Sequence, residues 1–220
     1  MPVATIRLLA AGAALLLAFP GFCAAQTDAP VPRPVVKAGD RWTYNIVDYW
    51  SNRVTATREW VVSLANDKII QAVVTEPGKP EVDESFTPEW NAVATAIGTY
   101  YPDTGIWKFP LRVGAKYPAE FEMVFGPQRN WRAKHDRAVE VVGWEDIVVP
   151  AGKFRALKIV AGGSFQRLDT SIAGSVTWTY WYAPEVKRSV KTMIEDNILT
   201  GFQRGPFNKF GFELVSYRVQ

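Results

Sequence analysis

The chain has 220 residues, of which 48% are hydrophobic and 13% are aromatic. This length and composition suit one globular domain with a sizeable core, and they exclude a disordered or fibrous chain. The 25 lysines and arginines nearly balance 22 acidic residues, and the net charge of +3 is spread along the chain, which argues against a nucleic-acid-binding protein.

The first 25 residues have the pattern of a secretory signal peptide. Arg7 supplies a positive charge, an apolar block runs from Leu8 to Phe19, and small residues precede Gln26. The apolar block is too short to span a bilayer comfortably. We therefore predict cleavage before Gln26, a periplasmic or secreted protein, and no transmembrane segment in the mature chain.

The single cysteine, Cys23, lies inside this predicted signal. Phe22 stands where a lipoprotein signal requires a small residue, so lipidation of Cys23 is the less favoured alternative. Removing the first 25 of the 220 residues leaves 195 residues without a cysteine. A mature chain of this kind has no disulfide, no thiolate nucleophile and no cysteine metal ligand.

Residues 26–38 are predicted to form an extended, mobile leader, because Pro30, Pro32 and Pro34 alternate there. A single β domain should then occupy residues 39–220. In its first half, period-two patterns of apolar residues predict strands at 41–50, 54–64, 69–75 and 82–86.

For residues 87–97 the sequence pattern does not decide between a helix and a strand. Thr87 and Pro88 are typical of a helix start, and Trp90 and Ile97 fit helical spacing. A strand with alternating apolar residues from Val93 to Ile97 fits nearly as well.

The second half is organised by two predicted β-hairpins. The first turns at Pro150–Gly152, where glycine can adopt positive φ, and it is preceded by a long strand from Trp131 with a bulge or bend at Gly143. The second ends its aromatic strand at Pro184. Many short strands punctuated by glycine and proline predict an all-β fold, a strongly curved antiparallel sheet forming a barrel or half-barrel, with at most one short helix.

Several sequence strings occur together in this half: F-P-L-R-V-G at 109–114, V-P-A-G-K-F at 149–154, and Y-W-Y-A-P-E-V-K-R-S-V-K at 180–191. With these strings the chain resembles a family of exported bacterial proteins known only as a domain of unknown function. The resemblance covers roughly residues 105–220. It implies an antiparallel β domain in the bacterial envelope and brings no catalytic residues. Tyr117 departs from the pattern, since such proteins tend to have tryptophan there.

The chain offers little catalytic chemistry. Its one histidine, His135, lies among charged residues and is predicted to be solvated; its neighbour Asp136 would point to the opposite face of a strand. We predict no catalytic residue, no cofactor and no metal site. Carboxylates that could in principle form a glycosidase pair are Glu140, Glu145, Asp146, Glu185 and Glu195.

A basic cluster could meet a phosphate or an anionic lipid surface; its members are Arg129, Arg132, Lys134 and Arg137, next to Trp131. The alternative interpretation is a strand whose wet face carries Arg132 and Lys134. Its dry face would then carry Trp131, Ala133 and Val139.

Aromatic residues are the strongest functional signal, with 9 Trp, 12 Phe and 8 Tyr. Around Trp178, aromatic residues occupy both faces of one strand. A strand with one face in solvent does not ordinarily carry large rings on that face. The rings either form core or line a groove, and the candidate ligand-binding residues are Trp178, Tyr180, Trp181 and Tyr182.

These observations favour an exported, non-enzymatic binding or accessory protein whose aromatic groove holds an apolar ligand, a lipid or an acyl chain. Two alternatives remain open. One is a structural module with a filled core that meets an envelope protein through an edge strand. The other is a hydrolase of cell-wall glycans.

Overall fold

A computed structural model describes residues 29–126, 131–200 and 205–220. The predicted signal peptide and its cleavage site lie outside these residues. The described chain forms twelve β-strands. They are β1 (Arg41–Asp48), β2 (Arg53–Ala65), β3 (Ile70–Thr75), β4 (Val82–Phe86), β5 (Ala92–Thr95), β6 (Gly98–Tyr101), β7 (Lys116–Phe125), β8 (Arg132–Val149), β9 (Gly152–Arg167), β10 (Ala173–Ala183), β11 (Arg188–Ile198) and β12 (Gly205–Arg218).

Each strand pairs antiparallel with its neighbours in the chain, and β1 also pairs with β12, so the sheet closes into a barrel. This confirms the predicted all-β fold and selects the barrel over the half-barrel. The short helix is a 3-10 turn at Pro184–Val186. Within the three described ranges, no helix is long and apolar enough to cross a membrane.

Both predicted hairpins are present. β8 and β9 join at Gly152, whose φ of +132° lies in the region that favours glycine. The predicted bulge also occurs, because the register of β8 against β9 shifts between Val141 and Gly143. In the second hairpin, the 3-10 turn ends at Lys187 in the left-handed conformation.

The structure forms a turn followed by a strand in the segment that the sequence left open. The Thr87 hydroxyl accepts hydrogen bonds from the N–H groups of Glu89 and Asn91, which holds a turn instead of starting a helix. Trp90 has a φ of +71°, outside the helical region. The chain then enters β5 at Ala92.

Alternate residues of the strands face the barrel interior. In β8, Ala133 and Val139 are buried, whereas Arg132 and Lys134 reach solvent. This is the wet and dry alternation predicted for the strand. Part of the predicted leader also packs on the barrel, because Val31 is buried and exchanges two backbone hydrogen bonds with Leu111.

The tip of the β8–β9 hairpin extends beyond its neighbours in the sheet and reaches β12. There the Ala151 N–H donates to the Leu214 carbonyl at 2.9 Å, and the rings of Phe154 and Tyr217 meet edge to face. Since β10 and β11 lie between β9 and β12 in the sheet order, this hairpin covers part of their surface.

Candidate functional site

The barrel encloses a cavity of about 360 Å³. Its wall is formed by aromatic and aliphatic side chains from strands on opposite sides of the barrel, which the closed sheet brings to face one another. Aromatic residues of the wall outside β10 include Tyr44, Trp60, Phe86, Trp90, Trp107 and Phe212. Many of these rings pack edge to face; the Tyr44 and Trp60 centroids, for example, are 5.6 Å apart.

Three of the four predicted ligand-binding residues line this cavity. Trp178, Tyr180 and Tyr182 alternate along β10 and therefore share its inner face. Trp181 lies on the outer face, where its indole N–H donates to Glu145 of β8 at 2.8 Å. It is only 8% exposed, because the β8–β9 hairpin covers it. The structure thus places rings on both faces of β10, one set at a cavity and one under a hairpin.

The two ends of the cavity differ. One end is closed by Trp42 and Trp90, whose ring centroids are 5.5 Å apart and whose indole N–H groups donate to the carbonyls of Val186 and Lys187. The other end reaches the surface near Ile97, a wall residue that is 58% exposed at the β5–β6 turn. The cavity is therefore accessible from one end of the barrel.

Arg188 lies at the closed end, surrounded by rings. Its guanidinium carbon is 4.7 Å from the Trp90 ring centroid and 5.2 Å from that of Trp60. The rings of Trp42, Tyr44 and Phe86 follow at 5.4 to 5.7 Å. Cation–π attraction stabilises a charge in this position, but burial still lowers the pKa of Arg188 from its ordinary value.

Glu84 is the acidic residue of the cavity wall. One of its carboxylate oxygens accepts from the Trp60 indole N–H at 2.8 Å, and the other accepts from the Ala96 backbone N–H at 3.2 Å. Tyr44 donates its hydroxyl proton to the Ser189 carbonyl at 2.7 Å, and burial raises the pKa of Tyr44 to about 12. These polar groups are held in place by the barrel backbone and by rings.

His135 is buried inside the barrel, so the prediction of a solvated histidine was wrong. It is 7% exposed and stacks on Phe121 with ring centroids 4.7 Å apart. Arg137 donates from Nη2 to His135 Nδ1 at 2.8 Å, which leaves the ring proton on Nε2. Burial, with a smaller effect of Arg137, lowers the pKa of His135 to about 3. A neutral ring with no carboxylate among its hydrogen-bond partners is not arranged as the base of a catalytic triad.

The basic cluster does not form one surface. Arg137 points into the barrel and lies over the Trp178 ring at 5.0 Å, while Arg132 and Lys134 lie outside, near Glu122 and Glu120. Arg129 falls outside the described residues. The alternation of the strand therefore separates these charges.

The carboxylates considered for glycan hydrolysis lie away from the cavity wall. Four of them form ion pairs on the barrel: Glu140 with Lys116, Glu145 with Lys158, Asp146 with Arg155, and Glu195 with Lys209. The fifth, Glu185, is exposed in the 3-10 turn. This arrangement does not present two of these groups to one substrate.

The sequence analysis missed the three charged residues of the wall, which are Arg58, Glu84 and Arg188. Arg58 is paired with Glu76 at 2.6 Å. Arg188 follows Lys187 just after a predicted turn, where a solvated side chain is the ordinary expectation, and Glu84 sits beside Asp83 in a short strand. The one available signal was strict alternation along β4, which places Glu84 on the same face as the buried Phe86.

No family model matches the sequence, and no curated protein matches it. Two solved structures share the fold. One is a putative lipoprotein from Parabacteroides distasonis, with 12% identity and a TM-score of 0.53. The other is a putative exported protein with a YmcC-like fold from Bacteroides fragilis, with 15% identity and a TM-score of 0.51. Each match covers 86% of this chain and 100% of the other. At such identities the likeness concerns the barrel alone.

Proposed function

We propose that the chain is an exported, non-enzymatic binding protein of the bacterial envelope that holds an apolar ligand, a lipid or an acyl chain, inside its barrel. The observation that carries this proposal is the cavity of about 360 Å³ at the inner faces of Trp178, Tyr180 and Tyr182. A protein interior is normally packed to the density of an organic crystal. An open, ring-lined interior of this size is instead typical of a ligand site.

The size of the cavity limits the ligand. At about 30 Å³ for each non-hydrogen atom, the share of one water molecule, the 360 Å³ cavity holds about a dozen such atoms. Burying the apolar surface of such a chain contributes about 25 cal/mol per Å², and the cost of association lowers the net affinity. A longer ligand would extend through the open end near Ile97.

Export is supported by the sequence and by the kind of protein that shares the fold. Arg7 and the apolar block from Leu8 to Phe19 form a signal-peptide pattern. The fold relatives carry the descriptions putative lipoprotein and putative exported protein. The family that the sequence strings resemble is also exported. These three points agree on the bacterial envelope, periplasmic or secreted, as the place where the ligand is met.

Native mass spectrometry of the protein purified from its own host tests both parts of the proposal. We expect the mass of a polypeptide that begins at Gln26, together with a bound apolar molecule that is released when the protein unfolds. A mass that retains Cys23 would contradict the cleaved signal. A ligand-free protein whose melting temperature is unchanged by 1-decanol, a chain of suitable size, would contradict the binding function.

Two tryptophans of β10 provide a matched pair of variants. Trp178→Leu removes a ring from the cavity wall, whereas Trp181→Leu removes one from the outer face of the same strand. We expect the first change to weaken decanol binding at least about tenfold, because one lining ring contributes on the order of 1.4 kcal/mol or more of contact. The second should leave binding unchanged. Equal effects of both variants would show that the cavity is not the binding site.

A further inference from the structure

Among the described residues, no carboxylate contacts the charge of Arg188 directly, although Glu84 attracts it from a distance. The terminal nitrogen Nη1 of Arg188 is fully buried and has no hydrogen-bond partner. None of the ion pairs that join described residues includes Arg188. By contrast, Lys187 and Lys191 in the same segment pair with Asp40 at 3.0 Å and Glu213 at 2.7 Å. A buried guanidinium without a hydrogen-bond acceptor is costly, so Arg188 needs a function that compensates for this cost.

The rings around Arg188 do not supply what its N–H groups need. Cation–π attraction acts between the positive charge and the face of a ring such as Trp90. The five N–H donors of a guanidinium point outward in its plane and require acceptors with lone pairs. The adjacent Ser189 hydroxyl is also buried without a hydrogen-bond partner, and Ser189 belongs to the same cavity wall.

Glu84 does not act as this acceptor. Its two carboxylate oxygens already receive N–H groups from Trp60 and Ala96, and it forms no ion pair with Arg188. The Arg188 guanidinium therefore still lacks an acceptor. Arg188 supplies one positive charge, which one negative charge on the ligand neutralises, whereas a dianion such as a phosphate monoester would leave an uncompensated negative charge near Glu84. A ligand group that accepts hydrogen bonds and carries one negative charge would match Arg188.

We propose that the ligand of the cavity is an apolar chain ending in a carboxylate, and that Arg188 binds this carboxylate at the closed end of the barrel. This inference rests on the binding function proposed above and names its ligand class. A guanidinium and a carboxylate match in geometry and can form two parallel hydrogen bonds. The ring-lined wall along Tyr182, Tyr180 and Trp178 then accommodates the chain, since these residues lead from the Arg188 end of β11 toward Ile194 in register.

The test compares decanoate with 1-decanol, which have similar chains and differ in charge. Isothermal titration calorimetry should show that the wild-type protein binds decanoate at least about tenfold more tightly than decanol, because charge-assisted hydrogen bonds are about twice as strong as neutral ones. Arg188→Met keeps an unbranched side chain and removes the charge. We expect this variant to lose the preference for decanoate, so that the ratio of its affinities for decanoate and decanol falls to about one, whatever its absolute affinity for decanol.

Lys191→Met is the matched control, because it removes a lysine of the same strand that already has a carboxylate partner. It should keep the preference for decanoate. Arg188→Lys retains the charge without the two-pronged geometry, so its preference should fall between those of the wild type and Arg188→Met. This variant keeps the test informative if Arg188→Met does not fold.

The outcomes separate the two proposals. Equal binding of decanoate and decanol by the wild type, or an unchanged preference in the Arg188 variants, overturns the inference about the carboxylate and leaves the apolar cavity in place. Failure of both probes to bind the wild type overturns the inference together with the proposed binding function.

Discussion

Replacing Asp40 by alanine is expected to lower the free energy of unfolding by about 3–5 kcal/mol, the range found when one partner of a buried ion pair is removed. Asp40 is fully buried just before β1. Its carboxylate accepts from the backbone N–H groups of Lys37 and Gln220 at 3.0 and 2.9 Å, and from the Lys187 ammonium at 3.0 Å. It therefore ties together the start of the barrel, its last strand and the β10–β11 turn.

The magnitude follows from these three contacts. Hydrogen bonds to a charged group contribute about 1.5–3 kcal/mol each, but the alanine variant retains some compensation. The Lys187 side chain is 14% exposed and still donates to the Gln220 carbonyl. The two backbone N–H groups have no such alternative, and the loss of two such bonds is worth about 3–6 kcal/mol, in agreement with the range for a buried ion pair.

Urea denaturation followed by tryptophan fluorescence measures this loss. Asp146→Ala is the control, because Asp146 also pairs with an arginine, Arg155 at 3.2 Å, but its side chain is 83% exposed. An exposed pair of this kind contributes at most about 1 kcal/mol. A loss below about 1 kcal/mol for Asp40→Ala, or equal losses for both variants, would refute the assignment of Asp40 as a buried link between the first and last segments of the barrel.

Two further predictions concern single positions. Gly152→Val should lower the free energy of unfolding by more than about 1 kcal/mol, because the glycine has a φ of +132°. No atom lies within 4 Å of the added Cβ, so the loss comes from backbone strain and not from a clash. Unchanged stability in chemical denaturation would contradict this. Burial and Arg137 lower the pKa of His135 to about 3, whereas the unfolded ring titrates near 6.5. The unfolded state therefore binds more protons between these values, and His135 makes the protein lose up to about 1.4 kcal/mol per pH unit as the pH falls through this window. His135→Gln keeps an acceptor for Arg137 and should show a shallower decline between pH 6.5 and pH 3; identical pH profiles would contradict the assignment.

Local patterns predicted the strands well, because alternation and turn residues act over a few positions. Val82–Phe86, the hairpin at Gly152 and the bulge near Gly143 all follow from such patterns. Closure of the sheet does not, since it depends on pairing between β1 and β12. His135 was misplaced for a related reason. Its charged neighbours in sequence suggested a surface, whereas alternation along β8 places it beside the interior residues Ala133 and Val139.

The candidate site was predicted in part. Aromatic content pointed to β10, and alternation put Trp178, Tyr180 and Tyr182 on one face. Whether that face borders a filled core or a cavity depends on the volume of residues from distant strands, which no local pattern reports. The direction of the Arg188 side chain could not be predicted locally either. It depends on the turn before Arg188 and on the register shift between β10 and β11 just after it.

The contact that joins the first and last segments of the barrel also affects the order in which the chain can fold. Asp40 and Gln220 are 180 residues apart in sequence, and bringing such distant segments together is slow because the entropy of a long loop is lost before the contacts form. Until β12 is available, β1 and β11 each present an unpaired row of backbone groups that can pair with a second molecule. A chain truncated before Gly205 therefore loses its protection against edge-to-edge aggregation along with its last strand.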